Sequence, residues 1–108
     1  ICFTMDSNKE KRLWIGLGDK QKAVAVKYEG QNDMMDLQFI KEEFRKGEMY
    51  PTIINYYDEL YQNKVNGVYK ITHSGNWHYI EYTRKKDGKK FKFTIDKSTD
   101  AYSNTPCF

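Results

Sequence analysis

The sequence predicts an all-β domain, an antiparallel meander that closes into a small barrel or sandwich. Three observations carry that prediction. Two turn signals, Ser74-Gly75 and Asp87-Gly88, separate runs that alternate apolar and polar residues. The hairpins they define place their apolar residues on one shared face. Nine Tyr, six Phe and two Trp give a chain with 39% hydrophobic residues enough ring area for one core. A length of 108 residues fits a single domain, 1–108. No apolar run approaches the roughly 20 residues of a helical membrane span.

Taken in order, residues 2–5 read as an edge strand. Residues 11–17 alternate through Leu13, Ile15 and Leu17, and residues 20–28 through Val24 and Val26. A loop of Gly18, Asp19, Lys20 and Gln21 pairs Leu13 with Val26 and Ile15 with Val24. Residues 33–47 fit two periods. Leu37, Ile40 and Phe44 suit a helix, while Met35, Leu37 and Phe39 suit a strand. Residues 52–61 pose the same choice, with Ile53, Tyr57 and Leu60 against a β-favouring composition. Strands are preferred in both places, because a closed meander leaves no exposed edge. The alternative is an α+β fold with one or two helices from residues 33–62 on an antiparallel sheet. Asn63-Lys64 makes a tight connection into a strand near 65–73, followed by strands near 76–85 and 89–96. Ser74-Gly75 sets Tyr69 opposite Ile80, and Gly67 opposite Tyr82, where the glycine leaves room for the ring. Asp87-Gly88 sets Tyr82 opposite Phe93, Ile80 opposite Ile95, and Lys86 opposite Lys89.

Cys2 and Cys107 are the two cysteines and nearly bracket the chain. They lack the spacing of a redox motif or zinc knuckle, and the ends of a domain often lie close together. A disulfide between them is expected, which places the protein in the periplasm or outside the cell. The start at Ile1 fits a mature chain whose leader has been removed. Free thiols in a cytosolic protein, or a lipidated Cys2 that leaves Cys107 without a partner, are the weaker readings.

Net charge is +3, and its placement matters more than its size. Residues 1–54 carry nine basic and nine acidic groups, and residues 55–108 carry nine and six. The segment 84–92 alone holds six basic groups against one acid. This is a local cluster on a nearly neutral chain, not the overall charge of a nucleic-acid binder.

Catalysis finds little support. His73 and His78 flank a turn and share a face, but no third residue at usable spacing completes a zinc site. Ser74 lacks the nucleophile-elbow pattern. Asp58-Glu59 and Glu42-Glu43 are adjacent pairs that split to opposite faces of a strand, so they read as solvated charge. Gly16-Leu17-Gly18 is an incomplete phosphate loop. The chain is read as no enzyme, with neither cofactor nor metal.

Binding is better supported. Trp77 and Tyr79 fall on the face of the meander opposite the core, with Lys70 and Lys92. Beside them the sequence sets the basic hairpin tip of Lys85, Lys86, Lys89 and Lys90. Trp and Tyr are favoured anchors at protein interfaces. The plainer readings are a face covered by the first half of the chain, and a lysine tip that only protects a sheet edge.

The runs 56–61, 63–69 and 82–91 resemble the hairpin meander of small exported bacterial proteins, among them immunity proteins and inhibitors of lysozyme-like enzymes. The resemblance spans roughly residues 50–107 and implies a β-rich inhibitor clamped by a terminal disulfide. The chain lacks the Ser-Gly-containing inhibitory loop of the membrane-bound lysozyme inhibitors, so it carries over no inhibitory residue. The expectation is an exported bacterial binding protein that blocks a toxin or cell-wall hydrolase through an acidic patch on the target. The alternative is a module that binds an anionic polymer: an oligonucleotide, peptidoglycan or lipopolysaccharide. The disulfide disfavours nucleic acid. A barrel that carries an apolar ligand ranks third, because the chain is short for eight strands and its aromatics would fill the interior.

Overall fold

Eight antiparallel strands follow one another around a closed barrel. They are β1 Cys2–Met5, β2 Asn8–Leu17, β3 Ala23–Tyr28, β4 Met35–Arg45, β5 Thr52–Tyr61, β6 Lys64–Ser74, β7 Trp77–Arg84 and β8 Lys90–Ile95. A computed structural model describes residues 1–47 and 49–108. Among them the one helical element is a 3-10 turn, Asp19–Gln21. The all-β prediction holds, and both two-valued segments are strands. Eight strands fit into 108 residues because several of the turns are very short. β1 is not an edge: it pairs with β2 on one side and β8 on the other, and so closes the barrel.

Two hairpins of the second half are shifted from their sequence register by two residues. β6 and β7 pair Tyr69 with Tyr82 and Ile71 with Ile80. β7 and β8 pair Ile80 with Phe93 and Tyr82 with Phe91. The first shift arises at the turn. Gly75 takes φ 58°, so it fills the left-handed first central position, which Ser74 would have filled under strain. The second arises from charge. A two-residue turn at Asp87-Gly88 would set Lys86 directly opposite Lys89 and Lys85 opposite Lys90. Instead residues 85–89 form a longer loop. Gly88 N–H donates to the Arg84 carbonyl at 2.8 Å. The Asp87 carboxylate accepts from the Arg84 guanidinium at 2.6 and 3.0 Å and from Lys89 N–H at 3.1 Å.

The first hairpin is shifted as well. Leu13 pairs with Tyr28 and Ile15 with Val26, and an irregularity falls between Gly16 and Leu17. That irregularity turns Val24 outward, 48% exposed, and lets Ala23 and Val26 both be buried. The β3–β4 seam is thin, with Ala25 opposite Asp36 and Val26 opposite Met35. Past it, side chains bridge the gap: Lys22 Nζ reaches Glu42 at 2.5 Å, and Ala23 N–H donates to the Tyr57 hydroxyl at 3.1 Å.

Phe3, Leu13, Ile15, Val26, Tyr69 and Ile80 fill the middle of the barrel. Tyr82 and Phe93 are buried with them, as the sequence predicts, and Phe91 packs against this cluster. Charged residues such as Lys70, Glu81 and Lys92 alternate outward. This is the reverse of a membrane barrel, whose apolar band faces out. No helix among the described residues is long and apolar enough to cross a membrane.

Gly67 sits against Tyr82. A Cβ there would stand 2.5 Å from the Tyr82 ring and hydroxyl and 2.5 Å from the Thr83 carbonyl oxygen. The room predicted for this ring is real, although in register Gly67 faces Arg84. A backbone oxygen cannot rotate away, so Gly67→Ala is expected to cost roughly 1–3 kcal/mol by overpacking. Chemical denaturation measures it; a loss below about 0.5 kcal/mol would contradict the packing.

Outside the barrel, Cys2 and Cys107 form the expected disulfide, with Cα atoms 6.3 Å apart. It pins the segment after β8 across β1 and β2. There Cys2 N–H donates to the Ala101 carbonyl at 2.9 Å, and Trp14 Nε1 donates to the Ser103 carbonyl at 3.1 Å. Trp14 points away from the barrel interior yet is 7% exposed, because this strap covers it.

Candidate functional site

The eight residues singled out by sequence divide between two places. Trp77 opens β7, and Lys85 follows its end at Arg84. At about 3.3 Å per residue the two are separated by roughly 25 Å. The basic tip is therefore divided: Lys90 shares the face of the two rings, while Lys85, Lys86 and Lys89 do not. One group lies on the outer face of β6–β8, and the other lies at an end of the barrel.

The outer face holds Lys70, Trp77, Tyr79, Lys90 and Lys92. Trp77 and Tyr79 alternate outward and stack, with ring centroids 6.4 Å apart and planes 17° from parallel. They are 45% and 44% exposed. Lys97 Nζ sits 4.0 Å over the Trp77 ring, a contact the sequence did not suggest. Glu81 lies between Lys70 and Lys92 in register, and Lys90 Nζ approaches it to 3.5 Å. A shallow groove of about 210 Å³ runs among Lys70, Thr72, Tyr79, Glu81 and Lys92.

The second group sits where the β1–β2, β3–β4, β5–β6 and β7–β8 turns gather, at the mouth of the barrel. Here the interior opens into a cavity of about 1080 Å³ that Lys85 and Lys86 help to line. Lys89 leans over the Phe91 ring at 5.3 Å.

The main surprise of the mouth is Glu59. Adjacent carboxylates at 58 and 59 read as solvated charge, but Glu59 is 3% exposed. Inward alternation on β5 carries it in after Tyr57. The Tyr82 hydroxyl donates to one carboxylate oxygen at 2.9 Å, and the Tyr69 hydroxyl donates to the other. The Tyr69 proton is thereby committed, so its oxygen accepts from the Tyr28 hydroxyl. Burial raises the Glu59 pKa, opposed by the hydrogen bonds from Tyr69, Tyr82 and Asn66. Burial likewise raises all three tyrosines, which keeps them neutral donors.

The opposite end opens into a smaller cavity of about 480 Å³ beside His73, His78 and Tyr102. The two imidazoles stack at 4.2 Å. Burial, then the neighbouring His73, lowers the His78 pKa to about 4. His78 therefore adds stability that is complete above its unfolded pKa of about 6.5 and is lost as pH falls toward 4. The ring is only partly buried, and solvent screening leaves roughly 1–2 kcal/mol. Urea titrations at pH 7 and pH 4.5 should show His78→Gln losing less stability on acidification than the parent. An unchanged loss would discount the role of this ring.

No protein-family model matches the chain, and neither curated proteins nor solved structures show detectable similarity to it.

Proposed function

We propose that the chain is an exported bacterial binding protein that blocks a toxin or cell-wall hydrolase by rigid protein–protein contact. The observation that carries this reading is the stacked, exposed Trp77–Tyr79 pair on a closed barrel. Large rings held by strands present contact area with little entropy left to lose on association. Lys97 over Trp77, and Lys70, Lys90 and Lys92 on the same face, outnumber Asp6 and Glu81 there, which favours an acidic patch on the target. The Cys2–Cys107 disulfide is compatible with export.

The test uses the tagged chain to capture proteins from the native periplasm, followed by remixing of each purified candidate. The expected result is a one-to-one complex that inhibits the captured toxin or hydrolase. The double variant Trp77→Ala/Tyr79→Ala should weaken it at least 100-fold while the fold is retained. Binding that instead falls steeply with salt and is indifferent to the two rings would point to a polyanion. The absence of any inhibitory complex would reject the reading.

A further inference from the structure

We infer that the mouth cavity is a second binding site, for a single-chain amphiphile with an anionic carboxylate or phosphate head. It lies at a different place from the Trp77–Tyr79 face and does not depend on it.

The cavity is built in three tiers. Met5, Met35, Val65, Phe91 and Phe93 supply an apolar wall. Two methionines in that wall give it unbranched, polarisable side chains that adapt to an irregular hydrocarbon. Below the wall lies Glu59, whose two oxygens are already capped by the Tyr69 and Tyr82 hydroxyls. It therefore presents ring edges and satisfied groups to a guest. Above the wall stands a rim of Lys11, Lys64, Arg84, Lys85 and Lys86. Among the lining residues these five cations face a single acid, the buried Glu59.

Volume and charge together select the guest. About 1080 Å³ is at the upper end of ordinary small-molecule sites and holds a medium acyl chain with room for its head. Asp87 ties down Arg84 through two contacts, but Lys11, Lys64, Lys85 and Lys86 form no ion pair among the described residues. These four lysines line the same opening as the apolar wall, an arrangement suited to an anionic head with its chain inside. A cationic amphiphile would meet the same rim as a barrier.

Calorimetric titration of the intact, oxidised chain with dodecanoate, dodecyl phosphate and dodecyltrimethylammonium, all below micelle formation, tests the site. Both anions should bind saturably at one per chain, and the cation at least 30-fold more weakly. Lys85→Glu/Lys86→Glu should weaken dodecanoate at least tenfold. Lys20→Glu, a single charge reversal at the opposite end, should leave it within twofold. Met35→Trp fills the wall and should abolish binding, with circular dichroism reporting that the barrel is intact. Equal binding of anion and cation, no saturable binding of either anion, or indifference to both the rim and wall variants would overturn the assignment.

Discussion

Cys2→Ala/Cys107→Ala is expected to lower the unfolding free energy by about 4–5 kcal/mol, the value the chain-entropy account gives for a loop of this size. The disulfide joins residues 105 positions apart, so it restricts nearly the whole unfolded chain. Its native-state role points the same way. β1 is a four-residue strand, and barrel closure rests on its pairing of Phe3, Thr4 and Met5 with β8. The disulfide holds the first residue of that strand and the strap that covers Trp14. Loss of about 4 kcal/mol in a domain of this size corresponds to a fall in Tm of roughly 20 °C or more. Calorimetry measures the fall. Fluorescence reads the strap separately, because Trp77 is exposed in both forms while Trp14 moves into solvent when the strap lifts. A red shift on reduction, before global unfolding, is the expected sign. A Tm change below about 5 °C would mean that β1 closes the barrel without the covalent clamp.

Faces proved more legible than registers. In the β6–β7 and β7–β8 hairpins the sequence reading is displaced by two residues, an even number, so every side chain stays on its assigned face. Alternation alone was enough to place Tyr69, Ile80, Tyr82 and Phe93 inside and Trp77 and Tyr79 outside. Turn length was not legible from the pair Asp87-Gly88, because it depends on Asp87 engaging Arg84 and on four lysines avoiding one another. The division of Lys85 and Lys86 from Trp77 could have been read: seven extended residues lie between Trp77 and Lys85. The burial of Glu59 could not be read in the same way. It depends on hydroxyls from β3, β6 and β7, and their convergence needs the register of strands distant in sequence. The mouth cavity was hidden for a related reason. The many aromatics suggested a filled interior, but Phe39, Phe44, Tyr61, Trp77, Tyr79 and Tyr102 are exposed, and Phe91 and Phe93 line the mouth without closing it.

The same buried carboxylate carries the second large expectation. Glu59→Ala removes the acceptor of both the Tyr69 and Tyr82 hydroxyls inside the barrel. Two unsatisfied donors and the lost packing are expected to cost about 3 kcal/mol at pH 5. Glu59→Gln separates charge from hydrogen bonding. Since burial raises the Glu59 pKa above its ordinary value of 4.5, the folded state holds this proton more tightly than the unfolded chain does. The stability from that difference is complete below about pH 4.5 and is lost as pH rises through the raised folded value. The amide introduced by Glu59→Gln carries no titrating proton, so the variant lacks this slope. The free-energy gap between parent and Glu59→Gln should therefore favour the parent most near pH 4 and shrink as pH rises. His78 contributes a slope of the opposite sign below about pH 6.5, but it is common to both proteins and cancels in their difference. Denaturant midpoints from pH 4 to pH 9 measure the gap directly. A gap independent of pH would show that Glu59 binds its proton no more tightly in the barrel than in the unfolded chain. A gap that grows with pH would mean that the hydroxyl donors outweigh burial and hold Glu59 as a carboxylate.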